Sequence, residues 1–251
     1  MSPVSRHDRH VEIDLLRSAA ILCMVIYHTI YDLWAFYDWR IDPVAGGWWL
    51  FARATAILFL LLVGVSFAVY WHRAMSFPAG AQKARWKYLR RGMMIFLCGM
   101  LVSIVTYIFD SATYVRFGIL HCIGVSIALL PLFTKLREWS AFAGIAMIAG
   151  GWVVQARTAS TFLLLPLGIT PIGFMSVDYF PLLPWFGVVL IGYATGHVVY
   201  VRRNFRSVLA CKTPLCRWIT LPSRYALPIY LLHQPVLLLF LWAMSTVYSR
   251  L

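Results

Sequence analysis

Between Asp14 and Asp32 an otherwise apolar run carries four ionisable side chains, Asp14, Arg17, His28 and Asp32. Such groups are expensive in a segment of membrane length, and they mark it as a functional candidate. Their spacing puts them together. Arg17 and His28 are eleven positions apart, which on a helix turns ~1100° and leaves them ~20° from alignment, separated by ~16–17 Å along the axis. The same arithmetic places Asp14, Ile21, Met24, Tyr31 and Asp32 within ~60° of Arg17. One stripe therefore runs from a guanidinium beside a carboxylate to an imidazole beside a carboxylate. A guanidinium suits a phosphorylated ligand. A neutral imidazole held by Asp32 or a tyrosine suits proton removal from a hydroxyl or amine, or attack on a thioester.

Further candidates are spread along the chain. His233 shares a helical face with Tyr230 and Gln234 by its spacing, and it precedes Pro235, where a freed backbone carbonyl needs a donor. His121 follows Arg116 in a turn containing Gly118. Asp178, ahead of Pro181 and Pro184, reads either as a cap for the following helix or as part of an acceptor pocket with Arg53, Arg116 and Trp185. Trp185 is the ring best placed to stack on a sugar. Trp34, Trp48, Trp49, Tyr107, Tyr200 and Trp185 itself read more readily as an interfacial aromatic belt than as a sugar platform. Arg90 and Arg91 would assist Arg17 with phosphate. No phosphate-binding loop, zinc-protease motif or dinucleotide fingerprint is present, and no metal is expected. Cys211 and Cys216 lack a second ligand pair for zinc, and a reducing compartment disfavours a disulfide between them.

The elements that must position these residues are membrane helices. Of 251 residues, 61% are hydrophobic and only 12% charged, about half the charge of a soluble domain. The expectation is an all-α, polytopic helical bundle in one domain, 1–251, with no soluble domain. About seven spans are predicted, near 13–34, 48–71, 91–109, 117–134, 140–156, 181–200 and 225–247. The segment 158–177 is apolar enough for an eighth span, but its Pro and Gly content suits a re-entrant or surface segment. The first apolar run has no small-residue cleavage site and reads as a retained span. Sixteen loop cations fall on one side of this arrangement and four on the other. That places the N-terminus in the cytoplasm and the C-terminus outside. Orientation thus accounts for the net charge of +13 without a nucleic-acid partner.

Several stretches together resemble a known family. Arg17 and His28 are similar to the arginine and histidine of the first membrane helix in bacterial acyltransferase family three. Glu12 to Arg17 (EIDLLR), Met24 to Leu33 (MVIYHTIYDL), Leu62 to Ser66 (LVGVS), Arg116 to Gly124 (RFGILHCIG) and Asp178 to Gly187 (DYFPLLPWFG) resemble the heparan-alpha-glucosaminide N-acetyltransferase catalytic domain family. Tyr225 to Pro235 (YALPIYLLHQP) is similar to the closing helix shared across these transmembrane acyltransferases. The resemblance covers about 8–236. It implies a multi-pass protein of a bacterial inner membrane that moves an acetyl group from cytoplasmic acetyl-CoA, a co-substrate, to a saccharide amine or hydroxyl on the far side. It carries the donor role to Arg17 and catalytic roles to His28 and His233. The lysosomal heparan enzyme holds its active histidine in the first loop. The corresponding stretch here, Tyr37 to Pro43, has none, so His28, or else His121, must act. A proton-coupled transporter and a non-catalytic membrane subunit remain as alternative readings, and the expected partners are the bilayer, the saccharide and a second copy of the chain.

Overall fold

The computed structural model describes residues 10–77, 80–203 and 213–248. His7, Arg206, Lys212 and Cys211 lie outside the described residues. The described residues are 81% helix and contain no strand. The helices are α1 (Val11–Tyr37), α2 (Gly46–Met75), α3 (Gly80–Phe109), α4 (Ile119–Phe133), α5 (Ser140–Gln155), α6 (Leu182–Gly196), α7 (Pro214–Arg224) and α8 (Ala226–Tyr248). Two compact units emerge, one of Met1–Phe59 with Arg206–Leu251, the other Leu60–Phe205.

By length and composition six helical stretches are fit to cross a membrane. One of them, Ile119–Gln155, is two passes. The turn Thr134–Trp139 interrupts it, with Arg137 at φ 49°, ψ −126°. The Tyr193 hydroxyl donates to the Thr134 carbonyl and Phe117 lies beside Tyr179, so α4 runs with α6. Ser140 donates to the Leu190 carbonyl, and further along α5 Gly144 faces Gly187 and Gly151 faces Pro184, so α5 runs against α6. Counting α4 and α5 separately recovers seven. The segment 158–177, apolar enough for an eighth span but read as a re-entrant or surface segment, does not form a spanning helix. Because α5 and α6 are antiparallel, 158–177 connects two ends on one side. It holds only a 3₁₀ turn, Phe162–Leu167, and extended chain bridged at Thr158 and Thr170.

Glycine sets the packing of this second unit. A Cβ on Gly64 would collide with the backbone of Val189 and Tyr193. One on Gly92 would lie 2.5 Å from the Gly124 carbonyl oxygen. Close backbone approach is how helices associate in lipid, where burying apolar side chains gains little. The exposed surface agrees. Only 22% of the most apolar window of α3 is buried, and the outward residues are Met93, Met94, Leu97 and Leu101, a face that lipid solvates and water does not.

Two helical stretches escaped the sequence reading. The basic segment before Arg91 is the first part of α3. Within 201–224, α7 begins at a Thr213 cap, whose hydroxyl accepts from Cys216 N, with Pro214 in the first turn. It buries Thr220 and Ser223 and exposes Leu215, Trp218 and Ile219. Its apolar residues point outward because its polar side docks on α1, where Ser223 N donates to Ser18 Oγ at 3.2 Å. Cys216 is disulfide-bonded, contrary to the expectation from compartment.

Candidate active site

α1 is one continuous helix, so Arg17 and His28 keep the expected axial separation of ~16–17 Å. Ile21, Met24 and Asp32 on the shared stripe are buried. Arg17 lies 3.4 Å from Asp14 Oδ1, one turn back. Arg53, on α2, places its guanidinium 5.6 Å from the Trp49 ring centre.

α8 brings its polar face against α1. The rings of His28 and His233 are 4.9 Å apart between centres. Gln234 Nε2 donates to Asp32 Oδ1 at 2.6 Å, and Asp32 is completely buried. Tyr27 packs edge-on against His28 and leads to Tyr31 and Trp34.

The hydrogen bonds determine the chemistry. His233 Nδ1 lies 2.6 Å from the Tyr230 carbonyl oxygen. A carbonyl only accepts, so Nδ1 carries the hydrogen and Nε2 keeps its lone pair. Gln234 spends its NH₂ on Asp32, which leaves Oε1 as an acceptor. His233 Nε2, Gln234 Oε1 and Asp32 Oδ2 are all buried and have no hydrogen-bond partner. Buried polar atoms are normally paired. On this α1–α8 face a basic nitrogen and two oxygens are each left with no donor.

The second unit uses similar residues differently. His121 is 1% exposed, stacked on Phe117 and met edge-on by Phe96. Its Nδ1 accepts from Gly118 N at 3.2 Å, so the hydrogen sits on Nε2. By sequence Asp178 reads either as a cap for α6 or as part of an acceptor pocket. It caps α4 instead, its Oδ2 accepting from Ile119 N at 3.0 Å. The extended chain before α4 runs parallel to 177–180, with Val177 N donating to Thr113 O and Phe180 N to Phe117 O. That pairing delivers the carboxylate to the wrong helix by sequence and the right one in space. Arg116 donates to the Met175 and Ala112 carbonyls among the rings of Tyr114, Phe162 and Phe174. Trp185 is 8% exposed against Phe180. Tyr179 donates to the Leu165 carbonyl, and burial pushes its phenol up to about 12. Arg90 and Arg91 lie on the exposed side of α3, Arg90 at the edge of an open groove of about 640 Å³ lined by apolar α3 side chains.

Gln234 is the residue that sequence reasoning undervalued. Its signal was an amide in an apolar helix next to a histidine. That this amide holds Asp32, 202 positions away, is a tertiary fact.

The sequence profile of the family described as heparan-alpha-glucosaminide N-acetyltransferase, catalytic, matches residues 9–235. The chain belongs to this family. No individual curated protein and no solved structure matches it. Membership in the heparan-alpha-glucosaminide N-acetyltransferase catalytic family points to a transmembrane acetyltransferase and implies acetyl-CoA as co-substrate. Among the described residues no group of three or more His, Cys, Asp or Glu side chains is placed to hold a metal ion.

Proposed function

We propose that the chain transfers an acetyl group from acetyl-CoA, entering from the cytoplasm, to an amino or hydroxyl group of a saccharide on the opposite side of a bacterial inner membrane, and that the α1–α8 face is where transfer occurs. The observation that carries this reading is the cluster of three unpartnered buried acceptors, His233 Nε2, Asp32 Oδ2 and Gln234 Oε1. An amine or alcohol supplies the missing N–H or O–H donors. His233 Nε2 removes the proton from the attacking nitrogen or oxygen. That atom then bonds to the thioester carbonyl carbon, the carbon–sulfur bond breaks, and the coenzyme A thiolate leaves with the proton held on Nε2. The atoms balance as acetyl-acceptor plus coenzyme A. His28, against the same ring, orients the base and shares its proton. Asp32 and Gln234 hold the acceptor group, and Arg17 receives donor phosphate at a distance comparable to the reach of a pantetheine arm.

The test uses purified protein in detergent with radiolabelled acetyl-CoA and a hexosamine. Labelled sugar from wild type, lost in His233→Ala and His28→Ala while both remain monodisperse, is the expected result. Transfer surviving both substitutions would move the chemistry elsewhere. Proton-driven solute uptake without any acetyl transfer would replace the enzyme with a transporter using the same buried groups as a relay.

A further inference from the structure

Three costly features meet at one corner of the second unit, at the end where α4 stops and α6 runs out. Arg137 holds a positive φ in a region that strains residues other than glycine. α6 continues as a π-helical turn, His197–Arg202, an irregularity often found at functional positions. Between them stands Glu138, the chain's only acid between Asp110 and Asp178. Its Oε1 lies 3.4 Å from Arg202 Nη1 and its Oε2 lies 3.2 Å from His197 Nδ1.

The corner is held firmly and satisfied poorly. Ser140 Oγ donates to the Arg137 carbonyl at 2.7 Å and to that of Leu190, and Tyr193 pins Thr134. These bonds fix the strained turn against α6. Yet Glu138 Oε2 and His197 Nδ1, although close, are buried without a properly aligned hydrogen bond. Arg202 meets the carboxylate through a single nitrogen, and its side chain is 67% exposed. Guanidinium groups are best used by two parallel bonds to a carboxylate or phosphate. Arg137, His197 and Arg202 thus surround one carboxylate that engages them incompletely.

We propose that this corner seats a phosphate group, with Glu138 holding Arg202 and His197 in position until the phosphate takes them over. The ligand chemistry is a phosphomonoester or diphosphate on an organic carrier. On the acetyltransferase reading above, on which this source rests, the carrier is the adenosine bisphosphate end of the co-substrate. The other source of the same chemistry is an anionic phospholipid headgroup.

The experiment uses full-length protein in phosphatidylcholine nanodiscs. Adenosine 3′,5′-bisphosphate binding is titrated calorimetrically, and KM and kcat for acetyl-CoA are measured alongside. Arg202→Gln should weaken both Kd and KM about tenfold, the effect of losing one charge-assisted bond, with kcat unchanged. Arg202→Lys should recover part of the loss. Glu138→Gln, which removes the competing charge, should tighten the bisphosphate several-fold. Arg157→Gln, exposed at the other end of α5, should change neither constant. If the bisphosphate is indifferent to these variants but anionic phospholipid raises the thermal midpoint of wild type and not of Arg202→Gln, the seat stands and its phosphate is lipid. If Arg202→Gln and Glu138→Gln match wild type in every titration, the proposal is overturned. Acetyl transfer with an unaltered KM and no response to anionic phospholipid would remove the seat and leave the enzyme. A responsive bisphosphate titration without any acetyl transfer would do the reverse.

Discussion

His121 and His233 are both buried histidines in apolar helices, and their hydrogen bonds make them opposites. His121 accepts from a backbone N–H and is left with a ring N–H among phenylalanines. His233 donates to a backbone carbonyl and is left with a lone pair beside His28. Only a lone pair can take a proton, so of these two only His233 offers one for the base proposed above. The two aspartates divide in the same way. Asp178 serves a helix start, whereas Asp32 is held by one side-chain amide and keeps an oxygen unused. Residue type in a membrane helix therefore does not separate a structural polar group from a reactive one. The leftover atom does.

The largest effect that would break this contrast is on turnover. His233→Ala is expected to lower acetyl transfer by ~10²–10⁴-fold, the usual contribution of a general base. His121→Ala should lower the thermal midpoint while the folded fraction keeps its turnover. An equal loss of turnover in folded His121→Ala would erase the distinction.

Next comes the structural side. A Cβ on Gly118 would overlap Asp178 Oδ2, so Gly118→Ala is expected to cost ~1–3 kcal/mol through crowding. Asp178→Ala, losing the cap alone, should cost ~1 kcal/mol. Denaturation midpoints read against wild type rank the two, and the reverse order would mean that Asp178 does more than cap α4.

The α1–α8 contact offers a paired test. Gln234→Leu strands a buried carboxylate and should cost ~1–3 kcal/mol. Adding Asp32→Leu should restore most of that stability, since two apolar partners replace a polar pair, but not acetyl transfer. Activity in the double variant would show that the unpaired oxygens are not part of the site.

The smallest effect concerns pH. The Thr113 hydroxyl and then the Ala112 N–H hold the exposed Asp110 carboxyl below its usual range. A depressed carboxylate stabilises the fold above its unfolded pKa, and that contribution fades as pH falls through the lower folded value. Thr113→Val should therefore lower the melting midpoint slightly near neutral pH, with the difference from wild type shrinking in acid.

The amino-acid sequence by itself determined the class of the fold, its spans within a few residues apart from the start of α3, the polar stripe on α1 and the family. Each of these follows from local quantities, namely apolar length, charge counted by loop, helical periodicity and short motifs, which need no partner in space. Local signals misled where polarity and structure part company. The basic turns of α3 looked like loop because charge was read as solvent. α7 was hidden because its polar face packs on protein and its apolar face points outward. Tertiary structure alone decided that α4 and α5 fold back at Arg137, that Asp178 serves α4 rather than α6, and that Gln234 holds Asp32. It also decided which nitrogen of each histidine stays free. Those outcomes depend on which distant backbone carbonyl or N–H reaches a side chain first, and spacing along the chain carries no record of that.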